Sequence, residues 1–225
     1  MTVPRRTILK GLLFAMCAGS GLVHAAPAAP DGRQLTKFFR AVQMDDDRTV
    51  AAMIGSVVNA NQLNPLGGEP GLVLAVREDA MRTMGVFLDH PGTNLETRAV
   101  NGNTALMMAA FKGNRAAIEA LLAKGAKLNQ PGWTALHYAA AAGDNEIVEI
   151  LLKRGAKVDP VSPPKSGAYT PLMMAAREGK DDTALLLMKH GANPASRNSE
   201  GLTPEELAER AGKPRVARAI RDGMR

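Results

Sequence analysis

The second half of the chain repeats one pattern of apolar and polar positions. Each copy opens on a Thr, continues through an apolar run to a glycine, and then has a second apolar stretch that ends in Gly-Ala; the fourth copy is the least complete. The copies begin at Thr104 (TALMMAA), Thr134 (TALHYAA), Thr170 (TPLMMAA) and Thr203 (TPEELAE), at spacings of 30, 36 and 33 residues. Two short apolar stretches between helix-start and helix-stop residues predict a pair of helices in every copy.

The residue types set the predicted helix boundaries. A Thr side chain at the start of a helix accepts hydrogen bonds from free backbone N–H groups. Nine residues after the Thr, Gly113, Gly143 and Gly179 permit the left-handed turn that ends a helix. One such helix pair cannot bury its apolar face alone, so the pairs are expected to stack into a solenoid.

This pattern resembles the ankyrin repeat, whose hallmarks are a Thr-Pro-Leu-His start, a glycine between two helices, and an end with Leu-Leu followed by Gly-Ala. The resemblance is closest over Thr104–Gln130 and Thr134–Asp159, strong over Thr170–Pro194 and partial over Thr203–Arg225. It implies an all-α ankyrin-repeat solenoid of about five to six helix-turn-helix units with short β-hairpin fingers.

Two degenerate copies align upstream of the clear ones. The first has Asp45, and the second Asp79, where the later copies have the helix-break glycine. With these copies, the predicted ankyrin-repeat domain spans residues 35–225. Its units are the degenerate 35–68 and 69–100, the clear 101–130, 131–166 and 167–199, and a capping unit at 200–225.

The N-terminal segment has the pattern of a secretory signal. Arg5, Arg6 and Lys10 precede an apolar run from Gly11 to Val23, which predicts a signal peptide over residues 1–25 and a linker over 26–34. The run is shorter than the about 20 residues of a spanning helix, so a membrane anchor is less favoured. Arg5-Arg6 resembles the bacterial twin-arginine motif, which we favour slightly over general secretory export. The predicted location is the periplasm, with secretion beyond it as the alternative.

Composition limits the chemistry of the exported domain. The 225 residues are 45% hydrophobic but only 4% aromatic, which favours a helical core of small and aliphatic side chains. Cys17 is the only cysteine and lies in the predicted signal, so cleavage removes disulfides, thiol nucleophiles and thiolate metal ligands. Without residues 1–25 the formal charge falls from +6 to +3, since 25 Lys and Arg then face 22 acids.

His137 could begin a catalytic site, because Thr134 and Asp144 supply a hydroxyl and a carboxylate near it in the sequence. The resemblance to ankyrin repeats instead implies a structural imidazole that hydrogen-bonds the turns of neighbouring units. The sister copies have Met107 and Met173 at this position, which favours the structural interpretation. We predict no catalytic residue, no metal site and no cofactor, because neither metal-ligand spacing nor a nucleotide-binding glycine motif is present.

The positions that the repeat leaves free are the candidates for binding a partner. In ankyrin-like repeats these are the hairpin tips and the two residues before the helix-break glycine, which line a concave groove. The predicted partner-binding residues are Asn103, Trp133 and Tyr169 at the tips and Phe111, Lys112, Ala141, Ala142, Arg177 and Glu178 in the groove. Trp133 and Tyr169 occupy equivalent positions, and either anchor a partner or pack along their own hairpins.

Four further features can be interpreted, and the first two of them have an alternative each. The insertion over residues 159–166 is read as a longer surface finger, with a contact loop as the alternative. The basic last unit is read as a capping repeat, with binding to anionic lipid or nucleic acid as the alternative. The methionine pairs are assigned to the core, and the acidic run Asp45-Asp46-Asp47 to a solvated turn.

The sequence thus predicts a non-catalytic module for protein–protein interaction in the bacterial envelope, accessory to a periplasmic enzyme. The alternatives are a secreted binder of a foreign protein, or a binder of anionic surfaces through the basic C-terminal repeat. We expect a monomer that binds an unknown protein partner, with no nucleic acid and no membrane span after signal cleavage.

Overall fold

The computed structural model describes residues 29–224, and the predicted signal peptide lies outside them. The described residues form helices and one 3-10 turn (Pro164–Ser166). The helices are α1 (Gly32–Gln43), α2 (Asp47–Met53), α3 (Gly71–Arg77), α4 (Met81–Asp89), α5 (Ala105–Lys112), α6 (Arg115–Ala123), α7 (Ala135–Ala142), α8 (Asn145–Lys153), α9 (Pro171–Glu178), α10 (Asp181–Lys189), α11 (Pro204–Arg210) and α12 (Pro214–Gly223). Helix α1 begins inside the stretch 26–34 that the sequence analysis assigns to a linker, because Asp31 and Gln34 form a capping box there.

Successive helices form six antiparallel pairs that stack side by side, so the predicted all-α solenoid is confirmed. The first helices of the pairs, α1 to α11 in odd numbers, pack against one another in a continuous row. In the middle of the stack this row is closer packed than the row of second helices. The array therefore curves, with the first helices and the fingers that precede them on its concave side.

The predicted helix signals act as expected. The hydroxyls of Thr170 and Thr203 each accept the backbone N–H three residues on, both at 3.3 Å, and Thr104 does so at 3.4 Å. Gly143 and Gly179 end their helices in the left-handed region, with φ of 81° and 77°. Caps and breaks thus fix where each helix starts and stops.

The two degenerate repeats break their helices at the predicted positions without a glycine. Asp45 and Asp79 have φ of 53° and 55°, in a region that Asp tolerates better than most residues. A Cβ at Gly143 would lie 2.6 Å from Cδ of Lys180, the residue at the start of the next second helix. The corresponding residue opposite Asp45 is the small Ala80, which leaves room for a side chain.

The acidic run after α1 joins two repeats, so its assignment to a merely solvated turn is wrong. Asp45 Oδ1 accepts the backbone N–H of Thr83 at 2.8 Å, and its Oδ2 accepts Arg82 Nε at 3.1 Å. Burial alone would raise the pKa of Asp45, but the hydrogen bonds from Thr83 and Arg82 outweigh it and hold the pKa below its ordinary value. Asp46 caps α2 by accepting the N–H of Thr49 at 3.1 Å.

A ladder of polar side chains aligns the loops that follow the second helices. Asn129 donates to the carbonyl of Gly155 and accepts the N–H of Lys157, both at 2.8 Å. At the next junction Asp159 accepts the N–H of Asn193 at 2.9 Å. These bonds fix the register between neighbouring repeats, and the sequence analysis did not anticipate them.

The fingers are turns, so the predicted β-hairpin strands are absent from residues 29–224, which contain only two isolated bridges. A typical finger is closed by two backbone bonds, from the N–H of Ala99 to the carbonyl of Asn103 at 2.9 Å and from the N–H of Gly102 to the carbonyl of Ala99 at 2.8 Å. The long finger is closed by the N–H of Ser162 and the carbonyl of Tyr169 at 2.8 Å. These few bonds close a turn but do not extend into the ladder of a strand pair.

Small and flexible side chains fill the core, as the composition predicts. Met107 and Met173 are fully buried and their neighbours nearly so, which confirms that the methionine pairs belong to the core. The N-terminal repeats differ, since Phe38 and Phe87 pack edge to face with centroids 6.1 Å apart.

Candidate interaction surface

His137 lies at the joint between the fourth and fifth repeats. Its side chain is fully buried, and Nδ1 accepts the backbone N–H of Thr134 at 3.1 Å. Its Nε2 lies 2.9 Å from the carbonyl oxygen of Tyr169 in the next finger. Because a carbonyl only accepts, the proton is on Nε2 and the ring is neutral.

The surroundings of His137 remove it from acid–base chemistry at neutral pH. Burial lowers its pKa from 6.5 to about 4, although its hydrogen bonds to the backbone of Tyr169 and Pro160 oppose the shift. Both ring nitrogens are occupied, and Asp144 is used to cap α8 by accepting the N–H of Ile147 at 3.0 Å. The predicted structural role of His137 is confirmed.

Three aromatic rings from two repeats meet on the concave side. Tyr138 lies between Phe111 and Trp133, with ring centroids 6.4 and 6.1 Å away. Its hydroxyl donates to Oδ1 of Asn103 in the preceding finger. The structure thus brings three of the predicted residues together around Tyr138, a site residue that the sequence analysis missed. The sequence offered one signal for Tyr138: it is a large aromatic residue that directly follows His137, and its side chain is only half-buried on α7.

Trp133 and Tyr169 are equivalent in the repeat but have different surroundings. Trp133 is partly buried against the imidazole of His137, with centroids 5.0 Å apart. Tyr169 packs over Gly167 of its own finger, and the guanidinium of Arg177 lies 5.1 Å from its ring centre. No ring contact joins the two within residues 29–224. The two rings therefore do not form one continuous platform.

The centre of the groove is small and flanked by charge. Ala141 and Ala142 are half-buried at the end of α7, whereas the equivalent positions of the repeats on either side hold larger side chains. Lys112 pairs with Asp79 at 3.0 Å on one side, and Arg177 pairs with Glu178 at 3.0 Å on the other. The alanines therefore form a gap in the row of side chains.

Exposed apolar side chains are distributed unevenly over residues 29–224. The concave side and the fingers carry Met44, Leu63, Leu66, Val100, Phe111 and Val161. The second helices and their ends carry Met81, Leu185 and Met224, which are 36%, 41% and 49% exposed, whereas Leu66 is 90% and Val100 78% exposed. The concave side with its fingers is thus the apolar face of the solenoid.

The basic last repeat is largely neutralised by its own neighbours. Arg210 pairs with Glu200, Arg215 with Asp181 at 2.7 Å, and Arg221 with Glu205 and Glu209. Paired guanidinium groups attract an anionic surface less than free ones do. Val216 and Ile220 of α12 face the core, as expected of a capping repeat.

Nothing in the described part of the chain suggests a metal or membrane site. Residues 29–224 contain no cluster of three or more His, Cys, Asp or Glu side chains that could hold a metal ion. Over the same residues, no helix is both long and apolar enough to cross a bilayer.

The curved stack of helix pairs with an apolar finger side defines a repeat scaffold of the kind that binds other proteins. Family models agree: a model of ankyrin repeats in three copies matches residues 38–131 and 72–162, and a model of the single ankyrin repeat matches residues 169–199. The chain therefore belongs to the ankyrin-repeat family, whose members are in general non-catalytic modules for protein–protein interaction.

A curated relative matches over a short stretch. The putative E3 ubiquitin-protein ligase XBAT35 of Arabidopsis thaliana is 46% identical over 57 residues, which are 25% of this chain and 12% of that protein. The chain thus matches a small part of the relative's length, and the likeness extends to ankyrin repeats alone.

Proposed function

We propose that this chain is a non-catalytic scaffold that holds one protein partner across its fingers and concave groove. The observation that carries the proposal is the concentration of exposed apolar side chains on that side, with Leu66, Val100 and Phe111 each more than half exposed. Exposed apolar side chains gathered on one face of a protein mark interaction sites.

The ring cluster supplies the central contact in this proposal. Phe111 and Tyr138 present apolar rings at the groove, and the Asn103 amide beside the Tyr138 hydroxyl offers polar groups at its edge. Tyr and Trp are favoured at binding hot spots because they combine a large apolar area with a polar group. The small Ala141 and Ala142 next to the cluster leave space for a side chain of the partner.

The absence of catalysis is part of the proposal and rests on His137. A general base must reach a substrate proton, and this imidazole is buried with both nitrogens bonded inside the scaffold. The putative ligase named among the relatives matches this chain over only 12% of its own length, so its activity is not carried over to this chain.

We further propose that the scaffold is a monomer in the periplasm. Its partner there is an envelope enzyme, to which it is accessory. The basic and apolar pattern of residues 1–25 supports export, with the twin-arginine route favoured. Secretion to bind a foreign protein is the alternative destination. Binding to anionic surfaces through the last repeat is disfavoured, because Arg210, Arg215 and Arg221 are engaged by acids.

Affinity capture with the tagged chain from the envelope fraction of its own cells tests this function. The informative variant combines Phe111→Ala with Trp133→Ala, and the matched control is Leu185→Ser on a second helix. We expect the double variant to weaken binding of the captured protein by roughly tenfold or more, and the control to leave it unchanged. Unchanged melting temperatures would exclude misfolding. Equal binding by both variants would show that the groove is not the docking face.

A further inference from the structure

A trough runs along α1 and ends against the finger at Asn64–Gly67. It consists of two adjoining depressions of about 740 and 440 Å³, which share Thr36 and Arg40 in their walls. The first follows the exposed side of α1, and the second lies between the end of α1, the finger and Arg77. The trough is therefore one elongated surface at the N-terminal end of the solenoid.

One wall of the trough carries cations without partners. Arg33, Lys37 and Arg40 are four and three residues apart, so they project from one side of α1, and all three are exposed. Within residues 29–224, no carboxylate forms an ion pair with any of them. The one acid in the wall, Asp31, is used to cap α1 by accepting the N–H of Gln34 at 2.7 Å.

The far end of the trough is apolar. Leu66 on the finger is 90% exposed and Met44 at the end of α1 is 71% exposed, and both line the deeper depression with Phe39 below them. Arg77 closes this end, held by Glu69 at 2.6 Å and Glu78 at 2.9 Å. A ligand would thus meet an apolar cleft at one end and free positive charge along the other.

We propose that the trough binds an extended acidic segment of the protein partner, with one aliphatic side chain of that segment in the cleft between Met44 and Leu66. Three unpaired cations in a row are complementary to carboxylates of a ligand, and the apolar cleft is complementary to an aliphatic side chain. Residues 1–25 of this chain carry Arg5, Arg6 and Lys10 with no acid, so they have the wrong charge. The inference rests on the proposed function, whose partner class it names.

The dimensions set the length of the probe. Helix α1 has 12 residues and is about 18 Å long, a distance that an extended chain covers in roughly six residues. A labelled peptide of roughly eight residues, made of Glu and Ser with one Leu near its end, therefore spans the trough. Its binding to the full chain is measured by fluorescence anisotropy.

The key variant replaces the three cations: Arg33→Gln, Lys37→Gln and Arg40→Gln. Its matched control removes the same charge from the last repeat by Arg210→Gln, Arg215→Gln and Arg221→Gln. We expect the first variant to weaken peptide binding by roughly tenfold or more and the control by less than about twofold. Leu66→Ser should weaken binding severalfold, as should replacement of the peptide's Leu by Ser. Added salt should weaken it further, because exposed charges are screened.

Several results would overturn the proposal. Equal loss of binding in the two charge variants would mean nonspecific attraction, and equal binding of a peptide with Lys in place of Glu would mean that charge is irrelevant. Binding to phosphatidylglycerol vesicles with no binding of the peptide would assign the trough to lipid. If the chain self-associates and the α1 variant does not, the trough binds a second copy. If a peptide of residues 5–25 binds more tightly than the acidic peptide, the trough binds a segment of this chain.

The two proposals fail separately. If the peptide does not bind but capture of the partner still depends on Phe111 and Trp133, only the acidic-segment inference falls. If capture is indifferent to Phe111 and Trp133, the proposed function falls whatever the peptide does.

Discussion

Two joints of the solenoid, after the first and after the fourth repeat, connect neighbouring repeats at opposite ends of the first helix. In the first repeat the connection follows α1, where the carboxylate of Asp45 reaches the N–H of Thr83 in the next repeat. In the fourth repeat the connection is near the start of α7, where His137 reaches the carbonyl of Tyr169 in the next finger. The first helix of a repeat can thus carry a polar connection to the next repeat at either of its ends.

The difference follows from what occupies each end. The fourth repeat breaks its helix at Gly143, against which Lys180 packs, so no side chain is available there. In the fifth repeat Met173 sits where His137 does, and its sulfur lies 3.4 Å from the N–H of Thr170. Methionine has no second polar atom, so it can serve the helix start but cannot reach the next finger.

The largest expected effect is acid weakening of the His137 joint. The pKa of His137 is about 4 in the folded chain and 6.5 unfolded, so the unfolded state binds more protons between these values. This joint's stabilisation is therefore complete above pH 6.5 and is lost as the pH falls towards 4, by about 3 kcal/mol in total. Urea unfolding at several pH values measures it.

His137→Met is the matched control, since the sister repeats carry Met. It should unfold more easily at neutral pH, because the Tyr169 carbonyl loses its donor, yet it should lack this part of the pH dependence. A parallel pH dependence in both proteins would mean that another group titrates. Asp45 has a lowered pKa, so its stabilisation is present above its unfolded value of 3.8 and is lost only below it. The His137 joint therefore weakens first on acidification.

The next effect in size is expected at the other joint. Asp45→Ala should lower the free energy of unfolding by about 2 kcal/mol, because the Thr83 N–H loses its acceptor and alanine disfavours a φ of 53°. Asp45→Asn keeps an acceptor oxygen and tolerates that φ, so it should recover most of the loss. Equal destabilisation by Ala and Asn would show that the negative charge of Asp45, rather than its hydrogen bond, makes the joint.

Gly143→Ala is expected to cost about 1–2 kcal/mol from the left-handed backbone alone, with a further cost because Cβ would meet Lys180. Gly125→Ala is the control, since its φ of 90° is also left-handed but no atom lies within 4 Å of its Cβ. Thermal unfolding of both variants separates strain from contact. If both variants lose the same stability, Lys180 moves aside for the new Cβ, and its packing is not the reason for a glycine at position 143.

The repeat pattern predicted most of the fold because its signals are local. Thr at the helix starts, glycine at the breaks and Asp at the degenerate breaks each act on their own backbone. Within residues 29–224 the predicted hairpin fingers are present as turns without strands, because a strand depends on pairing and the bonds among Ala99, Gly102 and Asn103 close only a turn. The connection from Asp45 to Thr83 was missed for the same reason, since it joins residues 38 positions apart.

The candidate surface was predictable in position but not in its contacts. Repeat register gave the finger tips and the groove, but not that Tyr138 lies between Phe111 and Trp133. Charge was the least predictable property. The sequence is visibly basic in its last repeat, yet Arg210, Arg215 and Arg221 are paired there, whereas within the described residues the cations of α1 are not. Pairing depends on which side chains the fold brings together, and composition does not report that.

The smallest effect is expected at Asp79, which has the same backbone conformation as Asp45 but different partners. Its carboxylate meets two side chains, Lys112 at 3.0 Å and Asn114 at 3.1 Å, and no backbone N–H of the next repeat. Exposed ion pairs contribute little, so Asp79→Gly should change the free energy of unfolding by less than about 0.5 kcal/mol. A loss as large as that of Asp45→Ala in urea unfolding would mean that the side-chain pairs, rather than the bond to a backbone N–H, hold such joints together.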